Sequence, residues 1–182
     1  MRRKLTVATA NANSRAHKDV VAELRRFGCW TTSLCEIAVR QSLFAHCYGY
    51  QCYGGDGDIV IPKLSVSRFL DRLYGETYVS LRDVLRHEYA HAIAHCHNPL
   101  VSTQAFARTF GAPHDGEEVV PYCERSHVTV YAASHPREDF AEVFMYYLKH
   151  KGKLPRRWND LPRIVKKWRY VESLCRKVKR LK

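Results

Sequence analysis

The sequence predicts an α+β domain in which a small mixed sheet precedes a mainly helical second half. Runs rich in aromatic and β-branched residues, broken by a glycine-rich turn, fill much of the first third, whereas after residue 80 apolar residues recur every three or four positions in three segments, about 81–95, 140–147 and 161–181. With 182 residues, 46% of them apolar, the chain is long enough to bury about 70% of its unfolded surface in one core. We therefore expect a single domain over 1–182, divided into a helix-and-sheet part (1–80), a central pair of helices (81–148) and a basic C-terminal helix (149–182).

Residues 14–27 read as an amphipathic helix through Val20, Val21, Leu24 and Phe27, closed by Gly28. Residues 30–40 and 45–53 read as strands, followed by the turn Gly54-Gly55-Asp56-Gly57. Asp58-Ile59-Val60-Ile61-Pro62 is a third strand, with Pro62 suited to a strand end or an edge. Ser80-Leu81-Arg82-Asp83 resembles a capping box, and Leu81, Val84, Leu85 and Ala92 give the helix it opens, about 81–95, an apolar side. Pro136 opens another helix, with Glu138 and Asp139 at its N-terminus and Phe140, Val143, Phe144 and Tyr147 at helical spacing. The last helix follows Asp160, a candidate cap, and Pro162, with Leu161, Ile164, Val165, Trp168, Val171, Leu174, Val178 and Leu181 forming its apolar stripe.

The helix over 81–95 contains His87-Glu88-Tyr89-Ala90-His91. Residues four apart stack on one helix face, so His87 and His91 can grip one ion, and two imidazoles leave zinc room for a third protein ligand and a water. Glu88, beside the first ligand, can reach that water and take its proton. Shuffling this composition would produce about 0.03 such pentapeptides per chain, so chance explains it poorly. The plainer reading is a pair of histidines on the polar side of a surface helix.

Two segments compete to supply the third ligand. His97 completes H-E-x-x-H-x-x-A-x-x-H, but Ala94 stands where a glycine would let the chain leave the helix in a left-handed turn. The alternative is the helix after Pro136, where Glu138 and Glu142 share a face and repel one another unless positive charge lies near. A solvated acidic face is the plainer account of that pair.

H-E-x-x-H followed by Tyr131, six residues, then Glu138-Asp139-Phe140-Ala141-Glu142 resembles the gluzincin metallopeptidases, of the type seen in the catalytic domain of anthrax lethal factor and in bacterial zinc-binding metallopeptidases. The resemblance covers roughly residues 58–148 and is clear at these motifs. It implies a zincin-like fold, one Zn2+ per chain held by His87, His91 and Glu138, Glu88 as general base, Glu142 orienting a ligand histidine, and Tyr131 donating to the oxyanion. A phenol suits that last task because it can donate a hydrogen bond without carrying a charge.

Charge is the second informative feature. Residues 149–182 hold 14 Lys and Arg against 2 acids, while 1–148 hold 16 of each, so the net +12 lies in the last fifth. The apolar stripe there predicts a docked helix with its cations facing water. Attraction to nucleic acid or to an anionic surface is the competing reading, although no base-reading module is recognisable. Seven cysteines without a C-x-x-C pair signal neither a structural zinc knuckle nor a redox dithiol, and suggest a reducing compartment. Cys96, between His95 and His97, is a candidate soft ligand or, more simply, a small buried hydrophobe. Neither a secretory apolar segment after Met1-Arg2-Arg3-Lys4 nor a membrane span is present, which predicts synthesis into the cytoplasm, with signal-independent export as the alternative. The function expected is a zinc metallopeptidase acting on a protein or peptide substrate. The alternatives are a nucleic-acid-associated protein, or protease of DNA-bound proteins, using the basic helix, and an inactive zincin serving as a binding module.

Overall fold

The first helix, α1 (Ala10–Arg26), turns inward Ala16, Val20 and Leu24, each four residues from the next. Gly28 ends it with φ +76, and a Cβ at that position would press within 2.8 Å of the Lys179 side chain. The computed structural model describes residues 10–45, 49–53, 56–65 and 80–181.

Residues 30–40 do not form the single strand that their composition suggests. Thr32–Cys35 is a short helix, α2, and the strand β1 runs Ala38–Ala45. Within 32–37 only Leu34 and Ile37 are buried, three apart, which is the spacing of a helical turn rather than of a pleated strand. Strands β2 (Gly49–Tyr53) and β3 (Asp56–Ser65) complete the sheet. Of the expected Gly54–Gly57 turn, Gly54 and Gly55 lie outside the described residues, while Asp56 and Gly57 already belong to β3.

The sheet order is β1-β3-β2, with β1 parallel to β3 and β2 antiparallel to it, so the sheet is mixed. Ile59 and Ile61 of β3 are fully buried. Pro62 lies in the central strand and not at an edge, a correction to the sequence reading. It is tolerated because β2 pairs with β3 only from Asp56 to Val60, so at Pro62 β3 is paired only with β1 among the described residues.

Helices α3 (Leu81–Cys96), α4 (Asn98–Val101), α5 (Gln104–Phe110), α6 (Pro136–Lys149) and α7 (Pro162–Arg180) follow, with 3-10 turns at Tyr131–Ala133 and Arg156–Trp158. Seven α-helices and a three-stranded sheet among the described residues make the α+β class. Ser80 Oγ caps α3 by accepting from the Asp83 N–H at 3.2 Å. The Asp83 carboxylate itself binds Arg86 at 2.5 Å and Lys149 at 2.8 Å, and Arg86 also holds Glu23 of α1 at 2.6 Å, so one charge network ties α1, α3 and α6 together. Burial would raise the Asp83 pKa, but Lys149 and Arg86 outweigh it and hold it below the usual value. The stability it contributes is therefore present above that usual value and lost as pH falls through the lower, folded one.

The second half packs around α6, whose Phe140, Phe144 and Leu148 are fully buried against α3, Phe106 of α5, and α7. Helix α7 docks by Ile164, Trp168, Val171, Leu174 and Val178. Three details differ from the sequence reading. Leu161, without a side-chain hydrogen bond, is the N-cap in place of Asp160. Leu181 is 65% exposed. Lys167 does not face water: its ammonium meets Asp139 at 2.5 Å and the Ser126 carbonyl at 2.6 Å, both carboxylate and ammonium being buried.

That pair yields a stability prediction. Burial outweighs the Lys167 charge and raises Asp139 to about 6, and its Oδ1 has no partner among the described residues. Lys167→Met would leave that carboxylate alone in the core and should lower the unfolding free energy by about 3 kcal/mol. Urea denaturation checks this, and Lys167→Met/Asp139→Leu should recover much of the loss; equal stability of Lys167→Met and the parent chain contradicts it.

Candidate metal centre

Helix α3 projects His87 and His91 toward α6, which answers with Glu138 and Glu142 from successive turns. His87 Nδ1 lies 2.8 Å from Glu142 Oε1. A carboxylate only accepts, so Nδ1 carries the proton and, in the neutral imidazole, Nε2 presents a lone pair. That lone pair converges with His91 Nε2 at 3.1 Å and with Glu138 Oε2 at 3.1 Å, and the remaining side of the triangle, His91 Nε2 to Glu138 Oε2, is 3.2 Å.

Three acceptor-type atoms this close repel one another unless positive charge joins them. The protonation behaviour reports that demand: burial opposes charge on His87, yet hydrogen bonds to Glu138 and Glu142 outweigh it and push the ring up to about 10. Burial would likewise raise Glu138, but His87 and His91 hold it well below the usual carboxylate range. The donor set, two imidazoles and one carboxylate, suits a divalent cation such as zinc, whose tetrahedral ligands at about 2.0–2.1 Å stand about 3.3 Å apart. His87, His91 and Glu138 could therefore hold a metal ion.

No protein-family model, curated protein or solved structure matches the chain.

The remaining sequence-predicted residues surround this triangle. Glu142 has both oxygens engaged, Oε1 by His87 and Oε2 by Thr129 Oγ1 at 2.7 Å, while Thr129 in turn accepts from the Ala132 N–H at 3.1 Å. Tyr131 is 56% exposed at the rim, with its ring 5.8 Å from that of His87. Crowding around its hydroxyl, with the charges of Glu138 and Glu88, raises its pKa and keeps it a proton donor. His97 is not part of the converging group. Helix α3 runs past Ala94 to Cys96, and His97 Nε2 lies 3.4 Å from Thr31 Oγ1. Cys96 contributes no atom to the group either.

Several groups here escape sequence reasoning. The Tyr50 N–H, on the edge strand β2, donates to Glu88 Oε2 at 2.7 Å, so the sheet fixes the carboxylate that the motif supplies. Thr129 carries no signal beyond lying two residues before Tyr131. His114 and Arg137 join Tyr50, Glu88, His91 and Tyr131 in lining a cleft of about 540 Å³ over the triangle. A lone histidine in a turn and an arginine at a helix start are too common to be singled out in a sequence.

Proposed function

We propose that the protein is a zinc-dependent metallopeptidase with a zincin-like fold, in which His87, His91 and Glu138 hold the metal. The observation that carries this reading is the near-equilateral triangle of converging ligand atoms from His87, His91 and Glu138, beside a cleft that Glu88 also lines. Zinc, when bound, supplies the Lewis acidity that acidifies a water and polarises a carbonyl. Glu88, steadied by the Tyr50 amide, takes the proton of the attacking water and delivers it to the departing amine nitrogen as the C–N bond breaks. Tyr131 donates to the carbonyl oxygen as negative charge grows there. Glu142 fixes the tautomer and orientation of His87, a support that outer-shell carboxylates commonly give to ligand histidines. The antiparallel edge strand β2 lines the cleft, where an extended peptide could pair with it.

Incubation with a peptide library should give cleavage that a chelator abolishes and one equivalent of zinc restores. Zinc uptake without turnover on any peptide would favour the inactive binding module. Cleavage that persists after the metal is removed contradicts the reading outright.

A second reading rests on α7, whose Arg163, Lys166, Arg169, Arg176, Lys177, Lys179 and Arg180 are exposed. They support a sequence-indifferent, salt-sensitive attraction to nucleic acid or an anionic surface. Among the described residues, no helix is long and apolar enough to cross a membrane.

A further inference from the structure

One wall of the cleft carries positive charge that the metal chemistry does not use. Arg137, second residue of α6 after Pro136, lies with its side chain 47% exposed. Among the described residues its one ion-pair partner within 4 Å is Glu138, at 3.5 Å from Nε to Oε1, longer than a good hydrogen bond, so the fork of its guanidinium is left for another acceptor. The N-terminus of α6 adds to the positive potential there. His114 lines the same cleft, packed on Phe106 with ring centroids 5.2 Å apart, and its Nε2 is enclosed without a hydrogen-bond partner among the described residues.

The acids lining the cleft are already occupied. Glu88 accepts from the Tyr50 N–H, and Glu138 faces His87 and His91. Glu138 Oε1 approaches only the Nε side of Arg137, so the two terminal nitrogens are left for a planar carboxylate entering with the substrate, which would pair with them in the bidentate manner that guanidinium favours. A lysine or arginine in the same place would be repelled.

We propose that Arg137 binds a substrate carboxylate beside the bond to be cut, either an acidic side chain or the free C-terminus. This rests on the peptidase reading above and adds to it a substrate class. The test uses the zinc-loaded full chain and matched peptides that differ by Asp against Asn at each position around the cleaved bond, and by C-terminal acid against amide. One acid form should be preferred by about 10- to 100-fold in kcat/KM, the range of a charge-assisted hydrogen bond, and the pair that responds identifies the source of the carboxylate. Arg137→Gln should bring that ratio to within about 3-fold and Arg137→Lys should retain part of it, with zinc content measured alongside. The same peptides titrated onto the Glu88→Gln chain separate the two readings. Tighter binding of the acid form without turnover by the parent chain would defeat the peptidase reading and keep this one. Equal handling of acid and neutral peptides, or a preference that Arg137→Gln leaves unchanged, overturns the proposal.

Discussion

Glu88→Gln is expected to lower kcat/KM for peptide hydrolysis by about 10³-fold while the chain keeps one zinc, because the substitution removes proton acceptance and little else. Glutamine has the same shape, and its amide oxygen can still accept from the Tyr50 N–H that now holds Glu88 Oε2 at 2.7 Å. The ligand atoms of His87, His91 and Glu138 are not altered, so zinc affinity should stay within a few-fold. Activity loss with metal retention is thus the signature of a base, distinct from that of a ligand. Parallel kinetics and metal analysis check it, and a fully active Glu88→Gln chain would remove Glu88 from the mechanism.

Glu138→Ala and His97→Ala should behave in opposite ways. Glu138 supplies one corner of the candidate ligand triangle, 3.1 and 3.2 Å from the two imidazole nitrogens, and without it a bound zinc would keep only the two histidines. Loss of a supporting outer-shell partner commonly weakens metal binding by 10–100-fold, so loss of this direct ligand should weaken zinc by more than about 100-fold. His97 lies 3.4 Å from Thr31 Oγ1 and outside the converging group, and its removal should change zinc affinity by less than about 2-fold. Competition titration against a zinc-binding dye measures both. The reverse order of effects would restore the metzincin-like arrangement, in which the chain leaves the helix near Ala94.

What was legible in the sequence was what neighbouring residues encode for one another. His87 and His91 stack because a helix of 3.6 residues per turn requires it, and the start of that helix is written in Ser80 and Asp83. Glu138 and Glu142 stand out because two acids four apart on one helix face repel unless positive charge lies near, and the fold sets both against His87. The pairing of Tyr50 with Glu88 was illegible, since it depends on the place of β2 at the edge of the sheet and on how the sheet lies against α3. The burial of Lys167 is illegible for a related reason: its place beside the stripe puts it on the flank of α7, and only the docking against α6 shows that Asp139 and the Ser126 carbonyl receive it. Residues 30–40 have the aromatic and branched composition of a strand, but the three-residue spacing of buried Leu34 and Ile37 belongs to a helical turn, and the strand begins only at Ala38.

Zinc K-edge X-ray absorption on the loaded chain tests the central claim most directly. Two imidazoles and one carboxylate predict one zinc per chain with a first shell of nitrogen and oxygen at about 2.0–2.1 Å and the outer scattering of two histidine rings. A sulfur neighbour at about 2.3 Å, a shell without two imidazoles, or a chain that takes up no zinc would contradict it.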